Sequence, residues 1–202
     1  MTGGKSKFDE RRAKDLRAKL KTEQRWWRQL KLLKLLNELD DPVVIDALIW
    51  ALRFKEMEPV RLLAIKGLAE HRSDEGRLAL LSAAIHGSEA VRRHATESLA
   101  NYELSGEEIE SMMPVCLAGD KFLRLATAEL LASQSDAAAT APLLTLLEDP
   151  KWVVRGAAFD AIRDRDDPNL LPALHRAAER EGSLLRSVLH RTAEEPAEGS
   201  AE

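Results

Sequence analysis

Five arginines, Arg61, Arg92, Arg124, Arg155 and Arg186, recur along this chain at spacings of 31, 32, 31 and 31 residues. Each follows an apolar residue that opens a fixed pattern, with a small residue four places later and an apolar residue eight places later. Val60, Ala64 and Leu68 form one copy. Val91, Ala95 and Leu99 form the next, and Leu123, Thr127 and Leu131 a third with one substitution. Val154, Ala158 and Ile162 repeat it, while Leu185, Leu189 and Ala193 make a degraded copy. Residues at i, i+4 and i+8 share one face of a helix. A fixed period of this size marks a stack of supersecondary units, none of which can bury its apolar face alone.

A second apolar segment precedes each arginine helix. Ile45, Leu48, Ile49 and Leu52 are spaced as one helical face requires, as are Leu78, Leu81 and Ile85, and Ile109, Met112, Met113, Cys116 and Leu117. Short breakers separate the segments: "LDDP" at 39–42, "HGSE" at 86–89, "AGDK" at 118–121 and "EDP" at 148–150. Ser and Asp at such points accept hydrogen bonds from the free N–H groups of the next helix, and Pro fits its first turn. With Ala, Leu, Arg and Glu abundant, the pattern predicts an all-α fold. Its form is a right-handed α-α superhelix, a solenoid of about five helix pairs.

The ruler fits residues 23–38 poorly. Trp27, Leu30 and Leu33, with Leu32, Leu35 and Leu36, predict an N-terminal capping helix, the second helix of an incomplete first repeat. The expected organisation is a basic amphipathic extension over 1–22, a repeat domain over 23–194 and an acidic disordered tail over 195–202. Residues 1–38 hold 12 Lys/Arg against 5 Asp/Glu, and the remainder 18 against 29, so a basic arm joins an acidic body. The polar start and the lack of a long charge-free run predict a cytoplasmic protein.

The Val-Arg-x-x-Ala-x-x-x-Leu pattern, the stretch "LLEDPKWVVR" and the prolines Pro114, Pro142 and Pro172 in successive first helices resemble the HEAT-repeat family. The likeness is to its short bacterial form, similar to the repeats of phycobilin lyases, and covers about residues 40–193. It implies an aspartate at the inter-helix turn that pairs with the arginine of the second helix, in a ladder along the array. Only Asp149 with Arg155 keeps the implied spacing of six. Asp120 stands four before Arg124, and Lys55 and His86 stand before Arg61 and Arg92, so the ladder is expected to be partial.

The likeness also implies that the second helices line a concave, partner-binding groove. Six places after each leading apolar residue stand Lys66, Glu97, Glu129, Asp160 and Arg191, and two places after it Leu62, Arg93, Leu125, Gly156 and Ser187. The expectation is a weakly acidic groove in which Arg93 pairs with Glu97 and Leu62 and Leu125 form apolar patches. It suits a basic or amphipathic partner helix better than nucleic acid. A second surface is the run Lys14, Arg17, Lys21, Arg25 and Arg28, at helical spacings of 3, 4, 4 and 3, able to meet an anionic membrane or nucleic acid.

No catalytic set is evident. His71, His86, His94, His175 and His190 are scattered without ligand spacing. Cys116 sits among apolar residues as a structural thiol, and Trp26, Trp27, Trp50 and Trp152 are expected in core or end-cap roles. No metal or cofactor is predicted. The function expected is a non-catalytic protein-interaction scaffold. The alternatives are a phycobilin lyase-like or isomerase-like chaperone for chromophore attachment, and nucleic-acid or membrane-surface binding through the basic helix.

Overall fold

The computed structural model describes residues 3–39, 41–54, 56–165 and 170–181. Among them lie eleven α-helices and no strand: α1 (Gly3–Thr22), α2 (Trp26–Asn37), α3 (Pro42–Phe54), α4 (Glu58–His71), α5 (Asp74–His86), α6 (Glu89–Leu99), α7 (Gly106–Leu117), α8 (Lys121–Ala132), α9 (Thr140–Leu146), α10 (Trp152–Arg163) and α11 (Leu171–Glu181). From α1 to α10 each odd helix packs on the even helix that follows it and successive helices of each parity pack on one another, and α11 packs on α10. The result is an α solenoid of two layers, first helices in one and second helices in the other. The last arginine repeat, with Arg186, Ser187 and Arg191, and the segment 195–202 lie outside the described residues, as does Lys55.

The repeat register is a burial register. Val60, Val91, Leu123 and Val154 are all buried, as are Ala64, Ala95, Thr127 and Ala158, and Leu68, Leu99, Leu131 and Ile162. Thr127 keeps its place because its hydroxyl donates to the Leu123 carbonyl at 2.7 Å, which satisfies the buried polar group. The first helices follow the predicted faces on α3 and α7 but not on α5. There Gly76, Ala79, Leu80, Ala83 and Ala84 are buried, and Leu78 is exposed. Small residues let that helix settle with its narrow face inward, which rotates Leu78 out to solvent.

The first pair is complete. Ala13, Leu16 and Leu20 of α1 are buried against α2 and α3, so the segment read as an extension supplies the first helix of that pair. Aligned at 31 residues, Gln29, Leu33 and Asn37 of α2 match Val60, Ala64 and Leu68 of α4. Two polar side chains at core positions explain why the ruler fails there. The Gln29 amide donates to the Glu23 carbonyl at 2.7 Å, and Asn37 hydrogen-bonds Glu70 of α4. Gly67 is required at this contact, since a Cβ there would lie 2.6 Å from Asn37 Oδ1 and 2.9 Å from Leu48.

Two polar ladders tie the pairs together, one on each edge of the array. At the turn edge, where first helices pass into second helices, Arg124 of α8 forms a two-pronged ion pair with Asp149 in the following turn. The same guanidinium donates to the Gly119 carbonyl at 2.6 Å. Arg155 donates at 2.7 Å to the backbone carbonyl of Asp149, and the carboxylate pairs with Arg124 of the preceding repeat, where the spacing had predicted a pair with Arg155. Asp149 Oδ1 also accepts from the Lys151 N–H at 2.8 Å, and Arg92 reaches only the Gly87 carbonyl, at 3.3 Å. Burial would raise the Asp149 carboxyl, but the Arg124 hydrogen bonds and the Lys151 N–H outweigh it and hold it below its ordinary value.

At the opposite loop edge, residues just past each second helix satisfy the end of the preceding one. Tyr102 Oη donates to the Leu68 carbonyl at 2.7 Å. Gln134 Nε2 donates to the Tyr102 carbonyl at 3.1 Å while its Oε1 accepts from the Leu104 N–H at 2.8 Å. Arg165 donates to the Leu131 and Gln134 carbonyls at 2.9 and 2.6 Å. The Leu68 and Leu131 carbonyls also accept from the Arg72 and Gln134 N–H groups, each at 3.2 Å, so these side chains add a second donor at the helix ends, where intrahelical partners run out. On the outer layer, Arg17 pairs with Asp46 at 3.2 Å across α1 and α3, and Arg77 pairs with Glu108 across α5 and α7.

Asp149→Ala leaves the Arg124 guanidinium without its buried counter-charge and is expected to cost about 3 kcal/mol in denaturant unfolding. Because the folded-state carboxyl titrates below its unfolded value, its contribution is complete at neutral pH. That contribution disappears as pH falls below about 4. Acid titration of the wild type followed by circular dichroism is expected to show this loss, and the Asp149→Ala variant a smaller one.

Candidate partner-binding face

The second helices present one continuous face. On α4, Leu62 is half-buried against the core and Lys66 is exposed, 3.9 Å from Glu70. Leu62 and Lys66 line an open depression between α4 and α6, together with Ile65, Glu70, His94 and Ser98. On α6, Arg93 and Glu97 stand 3.7 Å apart, while His94 Nδ1 lies 2.9 Å from the other Glu97 oxygen. The Arg93 guanidinium also sits 5.7 Å from the ring centre of Phe122, which bridges α6 to α8. Leu125 of α8 is half-buried on the core, and Glu129 is exposed one turn further along.

On α10, Asp160 is exposed and accepts from Arg163 at 2.8 Å, and Arg163 also pairs with Asp164 at 2.9 Å. Arg163 was not among the residues predicted for this face. Acidic groups still outnumber basic ones, but three of them, Glu70, Glu97 and Asp160, are engaged by neighbours on their own helices or on the next. Pairs this exposed contribute little to stability and rearrange at small cost when a partner arrives.

Gly156 carries the information that the sequence conceals. Small residues at 156–158 are expected to let adjacent helices approach, and Ala158 is indeed fully buried. A Cβ at Gly156, however, would meet no atom within 4 Å. The helix packing therefore does not require glycine at this position, where the half-buried residue has open space on its side-chain side. One turn before it stands Trp152, 72% exposed. One turn after it stands Asp160. A notch is thus flanked by a projecting indole and a carboxylate on one helix, with Leu125 and Glu129 on the neighbouring helix α8.

The tryptophans depart from expectation. Trp50 packs against the core, but Trp26, Trp27 and Trp152 are exposed. Each exposed indole belongs to the first turn of a second helix, at the array's edge and outside the stripe that faces inward. The basic run is also redistributed. Lys14, Arg17 and Lys21 lie on α1, Arg25 in the turn after it and Arg28 on α2, because the helix ends at Thr22. Lys14 is bonded to Glu10 at 2.5 Å and Arg17 lies 3.2 Å from Asp46, exposed pairs of the same kind as those on the second helices.

Among the described residues no group of three or more His, Cys, Asp or Glu side chains is arranged to hold a metal ion. Cys116 is fully buried, and burial pushes its thiol above the ordinary range, which keeps it protonated and inert. No described helix is long and apolar enough to cross a membrane.

Residues 109–191 match the family model of HEAT repeats. No curated protein is matched by the chain. The matched span starts within α7; the helices from α1 to α6 stack in the same two layers, and α4 and α6 share the same buried register. The matched stretch, similar to HEAT repeats, lies within an all-helical solenoid that continues toward the N-terminus.

Proposed function

We propose that the chain is a non-catalytic scaffold that binds a protein segment across the face of its second helices, centred on α8 and α10. The supporting observation is Gly156. Glycine inside a helix costs about 0.5–1 kcal/mol relative to alanine, and here the array's own packing receives nothing in return. Close approach of another chain to the helix backbone accounts for that cost. Trp152 supplies a projecting aromatic anchor of the kind that dominates binding energy at interfaces, and Leu125 an apolar floor. Glu129 and Asp160 at the far end of the same stripe favour a partner with basic residues beside its apolar ones. An amphipathic helix laid into the groove combines both.

Two glycine substitutions are expected to move stability in opposite directions. Gly156→Ala gains about 0.5–1 kcal/mol because its methyl enters open space. Gly67→Ala loses about 1–3 kcal/mol because its methyl meets Asn37 and Leu48. Urea denaturation of both variants checks this.

Affinity copurification from the native organism tests the function. Leu125→Lys, Glu129→Lys and Asp160→Lys together, or Gly156→Leu alone, are expected to remove at least one reproducible protein partner while the helical content stays that of wild type. Identical partner sets from wild type and both variants would overturn the proposal. Coloured protein carrying a bilin would favour the chromophore-handling alternative instead.

A further inference from the structure

We propose that the N-terminal end of the turn edge docks on an anionic lipid bilayer. Eight large hydrophobic side chains are conspicuously exposed among the described residues, and six of them lie along this one edge: Trp26, Trp27, Phe54, Met57, Phe122 and Trp152. Four of the six gather where α1 and α3 end and α2 and α4 begin. Phe54 is 66% exposed and Trp27 51%, and the Trp50 ring packs 5.9 Å from Phe54 to extend the apolar surface inward. Contiguous apolar exposure of this kind on a folded chain marks an interaction site.

Cations interleave with these rings. Lys21 Nζ lies 5.8 Å from the Trp50 ring centre, and the Arg28 guanidinium 5.0 Å from that of Trp27. Lys21, Arg25, Arg28 and Arg53 are all exposed at this end. The carboxylates at this end are Glu23, Glu56 and Glu58: Glu23 accepts from the Arg25 N–H at 2.9 Å and lies 3.7 Å from the Arg28 guanidinium, and Glu58 accepts from Ser88 at 3.1 Å, so the four cations exceed the three carboxylates by one.

This combination favours a bilayer over a nucleic-acid strand. The rings project from helix ends along an edge and do not line a cleft through which a strand could thread. One face of Trp27 and one of Trp50 already carry a cation, which leaves them poorly placed to stack bases. At a membrane interface the same ring-and-cation pairs suit the local chemistry. Indole and phenyl groups sit at headgroup depth, and long cationic side chains reach lipid phosphates. Apolar insertion plus basic charge supplies the two signals that peripheral attachment requires. The proposed docking end, with Trp26, Trp27, Phe54 and Met57, shares no residue with the α8–α10 face, although Phe122 and Trp152 continue the edge to it, so either proposal can fail alone.

The full chain is sedimented with vesicles of phosphatidylcholine alone and with vesicles rich in phosphatidylserine. Binding is expected only to the anionic vesicles, falling with added salt and accompanied by a blue shift of tryptophan emission. Each cation neutralised, by Lys21→Gln or Arg25→Gln, is expected to weaken partitioning about fivefold. Trp27→Ser with Phe54→Ser is expected to abolish the blue shift while leaving the circular dichroism melt in place, since both side chains are exposed. Absence of binding to anionic vesicles overturns the proposal, as does equal binding to both vesicle types or binding indifferent to these variants. Capture of an oligodeoxythymidylate with the same variant dependence, and no vesicle binding, assigns the edge to single-stranded nucleic acid instead.

Discussion

Stacking of one helix pair on the next is the contact on which everything else rests, and its closeness is set at a single register position. Ala64, Ala95, Thr127 and Ala158 occupy the middle of successive second helices, where a larger side chain would hold the neighbouring helices apart. With a small residue there, the flanking Val and Leu positions of adjacent repeats meet and leave water together. A helix pair of this length buries little on its own, so stability resides mostly in the interfaces between pairs. The polar ladders at the two edges then fix the rotation of each pair relative to the last, because directional bonds reject a slipped register that apolar contact alone would tolerate.

The periodicity of the arginine helices was legible because identical environments recur and select similar residues. All twelve positions of the four described copies are buried as their spacing predicts. Legibility fails where a repeat meets something other than another repeat. In α2, Gln29 and Asn37 replace core apolars because their amides find partners at Glu23 and Glu70. In α1, the charged surface dominates the composition and hides the short stripe of Ala13, Leu16 and Leu20. In α5, the choice between Leu78 and Leu80 for the inner face depends on how closely neighbours press, which spacing alone does not reveal.

The candidate face was located by register, and the Arg93–Glu97 pair follows directly from a separation of one turn. Its local electrostatics were not readable in the same way. Arg163 is outside the repeat ruler yet engages Asp160, and His94 shares Glu97 with Arg93. The exposed indoles were misjudged for a related reason. Aromatic residues in a helical protein are most often core, but the first turn of a second helix points along the array's edge and not into it. Gly156 was legible as small but not as unsupported, since only the surrounding space separates those two meanings.

The loop-edge contacts give the array a chemical direction. Tyr102 completes the end of α4, Arg165 completes the end of α8, and at the other edge Asp149 neutralises Arg124 of the helix before it. In each case the later repeat supplies what the earlier one lacks. Removing the α9–α10 pair and Arg165 takes the second donor from the Leu131 carbonyl and the counter-charge from Arg124, whereas removing a pair from the N-terminal end takes away a recipient and leaves the donors free to be hydrated. A ribosome delivers the dependent member of each couple first. The α7–α8 pair emerges with the Arg124 charge uncompensated, and is completed only when Asp149 has followed it out.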